Sequence, residues 1–204
     1  MTIETPADND IAALALARRA GWPAELRVLI ERFPREIWQG HSNLGAMARF
    51  WLSRHDMFRE LAAAIDGAAI RFRNGQIPAA EFPPWFVPRL QFFLQQLNAH
   101  HHIEDGHYFP IFRAADARLA RGFAVLEADH AALHDDIART VATANVMLSA
   151  LGGDADALRR AGDDYARASG ALFKGLIHHL DDEEDLIVPL ILDRGEASLG
   201  VAHG

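Results

Sequence analysis

Apolar side chains recur every three to four residues along four long stretches, the spacing that gives a helix one buried face. The first stretch runs from about Asn43 to Arg73, on Leu44, Ala48, Trp51, His55, Phe58, Ala62, Ile65 and Ala69, and stops at Asn74 and Gly75. The proline-rich QIPAAEFPPWFVP then breaks the period. A second helix is expected from about Pro88 to beyond Phe112, on Leu90, Phe93, Leu97, His100 or His101, Glu104, Tyr108 and Ile111. The third spans roughly Leu119 to Leu151, on Phe123, Leu126, His130, His134 (or Leu133), Ile137, Val141 and Leu148. Gly152 and Gly153 close it, and Asp154 offers the next N-cap. The fourth runs from about Ala155 to Asp193, on Leu158, Tyr165, Leu172, Leu176, His179, Glu183, Leu186 and Leu190.

No strand pattern competes with these periods. Short connections between long helices make sequence neighbours antiparallel, so the expected fold is all-α, an up-down-up-down four-helix bundle. The expected layout is an N-terminal extension over residues 1–40, the bundle over 41–194 and a tail over 195–204. Within the extension, a short amphipathic helix is expected over Ile11–Ala17, ending by Gly21, and another from Pro23 to before Pro34. Acids precede the Ile11–Ala17 run and arginines follow it, the reverse of a signal peptide. No apolar run approaches the ~18 residues of a membrane span.

Composition narrows the chemistry. Half of the 204 residues are hydrophobic, enough for a substantial core. The formal charge of −8 argues against a partner such as nucleic acid. There is no cysteine, so disulfides, iron–sulfur clusters, thiolate zinc sites and cysteine nucleophiles are excluded, and a cytoplasmic location is expected.

The polar residues on the stripes repeat. His100, Glu104, Asp105 and Pro110 on the second helix match His179, Glu183, Glu184 and Pro189 on the fourth. Each copy is preceded, one helix earlier, by a stripe histidine: His55 before one and His130 before the other. Both prolines are expected to end or bend their helices one to two turns past the polar layer.

Residues four apart on a helix share a face, with Cβ atoms about 5–6 Å apart. His100 with Glu104, His130 with His134, and His179 with Glu183 can therefore each converge on one ion, with His55 supplied by the remaining helix. Carboxylates and imidazoles buried without partners would cost several kcal/mol each, a cost that bound cations offset. Seven nitrogen and oxygen donors exceed the need of one tetrahedral zinc and suit two octahedral ions with bridging carboxylates. Iron is the first expectation, then manganese and zinc. The register leaves alternatives open. His101 sits one position round from His100 and can also be a ligand, His178 competes with His179, and Glu184 with Glu183. His102 points away from the stripe, and His107 is a neighbour one turn past Glu104. His41 and His203 look incidental. The acidic run Asp181 to Asp185 reads as a solvated face with only Glu183 or Glu184 turned inward.

Four segments carry these residues: SRHDMFREL, HHHIEDGHYFP, LEADHAALH and HHLDDEEDLIVP. Together they resemble the hemerythrin-like, HHE cation-binding family, over roughly Leu44 to Asp193. The resemblance implies an antiparallel four-helix bundle around a non-haem, carboxylate-bridged di-iron centre. Its ligands would be His55, His100, Glu104, His130, His134, His179 and Glu183, with His101 as the extra ligand some members use. The marine oxygen carriers of that family use a histidine and an aspartate five apart on the fourth helix; here Glu183 stands four beyond His179 and Glu184 five. The rival di-iron arrangement, built on Glu-x-x-His pairs, would recruit Glu104 with His107 and Glu127 with His130. The expected function is binding of O2, NO or peroxide for sensing, scavenging or iron handling. The alternative is an oxidoreductase turning over peroxide or NO. A second copy of the chain or a redox partner stays open, and no membrane partner is expected.

Overall fold

The computed structural model describes residues 11–202; His203 and the start of the expected extension lie outside the described residues. Among these residues there is no strand, and the chain is all-α, a helical bundle. Two short helices, α1 (Val28–Arg32) and α2 (Arg35–Trp38), lead into the long α3 (Ala46–Arg73). Then come α4 (Phe82–Ile103), a π turn (Glu104–Tyr108) and α5 (Phe109–Ala115). The long helices α6 (Ala120–Ser149) and α7 (Ala155–Arg194) follow, and α8 (Glu196–Leu199) ends the described chain.

Most of this follows from local chemistry. Asn74 and Gly75 stop α3, with Gly75 at φ 71°, a left-handed conformation that only glycine adopts cheaply. The Asp154 carboxylate accepts from the Ala157 N–H at 2.8 Å, as an N-cap should. The start of α3 is capped from far along the chain: Glu196 accepts from the Ala48 N–H at 2.8 Å. The same carboxylate occupies the space that a Cβ on Gly45 would fill, at 2.3 Å.

Three expectations are corrected. Helix α4 begins at Phe82, inside the proline-rich segment, because Pro83 and Pro84 fall in its first turn, where a missing N–H costs nothing. Pro88 is carried inside the helix. Second, only residues 11–13 of the Ile11–Ala17 run are helical; turns follow. Third, the second helix does not run through unbroken. At the π turn the Phe109 N–H reaches back five residues to the Glu104 carbonyl, and Pro110 follows at once. Pro189, by contrast, lies within an uninterrupted α7.

Contacts divide the chain into two compact units. The first comprises residues 1–55, 101–131 and 178–204, the second 56–100 and 132–177. The second unit is packed by aromatics. Phe72 stacks on Phe82 at 4.2 Å between centroids, and Phe58 meets Phe93 edge-on at 6.1 Å. Phe86 meets Tyr165 at 5.4 Å, and Phe93 meets Phe173 at 5.5 Å. Between α3 and α4 the pairing numbers run in opposite directions, and between α4 and α7 in the same direction. An up-down-up-down order requires both. The first unit has its own apolar core, including Trp22, Leu26, Trp38, Met47, Trp51, Phe109, Phe112, Phe123 and Ile191. It also buries a layer of histidines and carboxylates.

Candidate metal centre

In the first unit, α3 brings His55, α4 His101, the π turn Glu104, α6 His130 and α7 both His179 and Glu183. All of them are buried. Two groups of donors form. His101, His130 and His179 have ligand atoms within 4.8 Å of one another. So do His55, Glu104 and Glu183, together with His100, one turn before Glu104 on the same helix. The His101 ring stacks on His130, with centroids 4.0 Å apart and planes 10° apart.

Three of the histidines are oriented in the same way. His55 Nδ1 lies 2.9 Å from Glu184, His130 Nδ1 lies 2.8 Å from Asp105, and His179 Nδ1 lies 3.4 Å from Asp129. An ionised carboxylate only accepts, so each Nδ1 carries the proton. Each neutral ring then turns a bare Nε2 lone pair the other way. Those atoms point at the donor groups. His130 Nε2 is 3.1 Å from His179 Nε2, and His55 Nε2 is 3.4 Å from Glu183 Oε1. The other Glu183 oxygen is 3.2 Å from His179 Nε2, so this carboxylate reaches both groups. Glu104 does the same, with Oε2 3.6 Å from His130 Nε2. The Trp51 indole N–H donates to Glu183 Oε1 at 2.6 Å and fixes its plane.

Two lone pairs 3.1 Å apart repel unless a proton or a cation lies between them. The electrostatics of the bare protein show the proton solution. Burial opposes charge on His179, but Asp129 and Glu183 override it, and its pKa is pushed up to about 9. Burial holds His130 below the usual imidazole range despite the pull of Asp105. Burial also works against the ionised form of Glu183, but His55 and His179 hold it well below the carboxylate range. Glu104 is pushed well above that range by burial and then by the charge of Glu183. A metal ion fits the same place. Two ligand atoms at right angles on an ion with bonds of about 2.1 Å are about 3 Å apart, close to the 3.1 and 3.2 Å seen at His179 Nε2.

Of the expected ligands, His55, His100, His101, Glu104, His130, His179 and Glu183 fall in these two groups. His134 does not: it lies one turn beyond His130, half-buried in the second unit, and belongs to neither group among the described residues. His102 and His107 are exposed, and His178 is half-buried with its Nε2 3.1 Å from Asp182. The Glu-x-x-His reading loses both its pairs. His107 faces solvent, and Glu127 is engaged by Arg113.

The acidic run of α7 corrects a further expectation. Asp182, Glu183 and Glu184 are all buried, not one of them alone. The excess charge is met by arginines from the N-terminal segment. Arg19 bonds Asp129 at 2.6 Å and Asp182 at 2.7 Å. Arg35 bonds Glu184 at 2.8 Å and Asp185 at 2.7 Å. Asp129, Arg19 and Arg35 were not legible as part of the site. The one available signal was adjacency: Asp105, Asp129 and Glu184 each stand next to a ligand candidate in sequence.

Imidazoles and carboxylates from four helices, each turned toward a shared centre by an outer carboxylate, define a helical-bundle metal-binding domain. The hemerythrin HHE cation binding domain model matches residues 46–191, and the chain belongs to that family. No curated protein and no solved structure matches it. No helix among the described residues is long and apolar enough to cross a membrane.

Proposed function

We propose that the chain holds two non-haem iron ions bridged by carboxylates, and that this centre binds O2, NO or peroxide for sensing, scavenging or iron handling. The observation that carries the reading is the convergence of oriented Nε2 atoms, with Glu183 giving one oxygen to each donor group. Five imidazoles and two carboxylates, with no thiolate, make a donor set suited to iron ahead of manganese or zinc. Two six-coordinate ions offer about twelve positions, more than these side chains fill, so a small exogenous ligand has room.

When bound, ferrous iron supplies reversible affinity for small oxidants and diatomics. The chain does the rest. Asp105, Asp129 and Glu184 fix the imidazole tautomers. Trp51 fixes the Glu183 carboxylate. Phe109, 5.5 Å from the His130 ring, and the pair of Trp51 and Tyr108, 4.8 Å apart, are apolar neighbours that limit water.

Anaerobic titration with ferrous iron tests this. The expected result is two iron ions per chain and new absorption bands when O2 or azide is added. Iron bound at that stoichiometry with no spectral response to any of the small ligands would overturn the reactive part of the reading. Failure to take up iron would overturn all of it.

A further inference from the structure

The family match starts at residue 46, yet two side chains that precede it reach the metal centre's outer carboxylates. We infer that Arg19, with Arg35 beside it, is a positioning residue for the metal-ligand histidines, so that the N-terminal segment is a working part of the centre rather than an appendage. This inference rests on the metal-binding reading above.

The geometry is specific. The Arg19 side chain is 0% exposed. Its Nη2 and Nη1 both bond Asp129, at 2.6 and 3.3 Å, and its Nε bonds Asp182 at 2.7 Å. The remaining hydrogen-bonding capacity of Nη1 goes to the Leu14 carbonyl at 2.6 Å, and the guanidinium lies over the Trp22 ring at 4.8 Å. Trp22 is itself tied down by its indole N–H, which donates to the Asp182 carbonyl at 2.8 Å. A planar fork held at every edge fixes the carboxylate it grips.

That carboxylate is the one facing His179 Nδ1. Asp129 also turns one oxygen, Oδ2, to both the guanidinium and the imidazole. Arg19 thereby sets the plane of Asp129, Asp129 sets the tautomer of His179, and His179 presents Nε2 to the donor group. Arg35 repeats the relation on the other side: it bonds Glu184 Oε2, while Glu184 Oε1 faces His55 Nδ1. Asp105, the third orienting carboxylate, is 41% exposed and is left to water. Without Arg19, Asp129 and Asp182 become two enclosed carboxylates with no cation between them, which costs more than the lost bonds alone. Asp129 would turn away from His179 to relieve the repulsion.

The test uses the full-length chain reconstituted anaerobically with ferrous iron. The variants are Arg19→Met, Arg19→Lys, Asp129→Asn and the double variant Arg19→Met with Asp129→Asn. Removing an outer partner of a metal ligand typically costs 10- to 100-fold in affinity. Arg19→Met, one step further out, should release iron to a competing chelator about 10-fold faster than wild type. The absorption of its azide adduct should shift, a change that loss of packing alone does not produce. Arg19→Lys, with charge but no fork, should recover part of the difference. The double variant should be no worse than Asp129→Asn alone, because Arg19 acts through Asp129. If Arg19→Met folds poorly, Arg19→Lys and Asp129→Asn carry the same comparison. Wild-type protein that takes up no iron overturns the metal reading and this inference with it. Iron-replete wild type beside an Arg19→Met variant of equal release rate and unchanged spectrum overturns this inference alone, as does full additivity in the double variant.

Discussion

The two units are built from the same four long helices and the same stripe spacing, yet they fill their stripes with opposite chemistry. In the second unit the positions facing inward are Phe58, Phe82, Phe86, Phe93 and Tyr165, all fully buried. In the first, the helices that carry those residues bury His55, His101, Glu104, His130, His179 and Glu183. A helix tolerates either content, because its backbone bonds are satisfied internally whatever the side chains do. The difference lies in what completes each core. Aromatic side chains complete theirs with one another. Imidazoles and carboxylates need orientation by further polar groups and a positive charge at the centre, from protons or from metal.

The largest test removes the centre's shared carboxylate. Glu183→Ala should weaken iron binding by more than 100-fold, since both donor groups lose an oxygen, while the chain stays helical; a stoichiometric iron titration with circular dichroism reads both. In the other direction, Phe86→Ala should cost about 3–5 kcal/mol in chemical denaturation and leave iron stoichiometry below the unfolding transition unchanged. An equal loss of iron in Phe86→Ala would mean that the units do not separate the two jobs.

Metal itself should stabilise the chain by about 4 kcal/mol at a free concentration 1,000 times its Kd. Hydrogen exchange should slow most around residues 101–131 and 178–194, and least around 82–97. Uniform slowing would erase the contrast. The pH dependence sharpens it further. The His179 pKa is raised from 6.5 to about 9, so in the metal-free protein its stabilising effect is full below pH 6.5 and is lost as pH rises through about 9. Iron must displace that proton, so iron affinity should climb over the same interval. Melts of metal-free protein and iron titrations at matched pH values should therefore move in opposite directions. The smallest effect belongs to Asp154→Ala, which removes the N-cap of α7 in the second unit and should cost about 1 kcal/mol without touching iron binding.

Periodicity carried the long helices, because each has to hide one face, and the same stripes placed the histidines and glutamates inward before any coordinates existed. What it could not carry was anything set by distant partners or local exceptions. Phe82 as a helix start was hidden by prolines that are harmless only in a first turn. His134 shares a face with His130 by spacing, yet falls in neither donor group. The acids of α7 read as solvated because the arginines that bury them lie about 150 residues away, and no local pattern links Arg19 or Arg35 to α7. Asp129 and Glu184 look like surface acids until a guanidinium is laid against them.

The π turn between α4 and α5 has a consequence for how this chain tolerates change in length. A turn that spans Glu104 to Tyr108 holds one residue more than a regular turn would. Deleting Gly106 would let the helix close into its ordinary pitch and rotate everything downstream by about 100°. Phe109 and Phe112, now fully enclosed, would swing toward water while Glu104 stayed in place. A one-codon loss there would disorder the hydrophobic floor of the centre without removing a single donor atom, and no neighbouring one-codon insertion could be assumed to restore it.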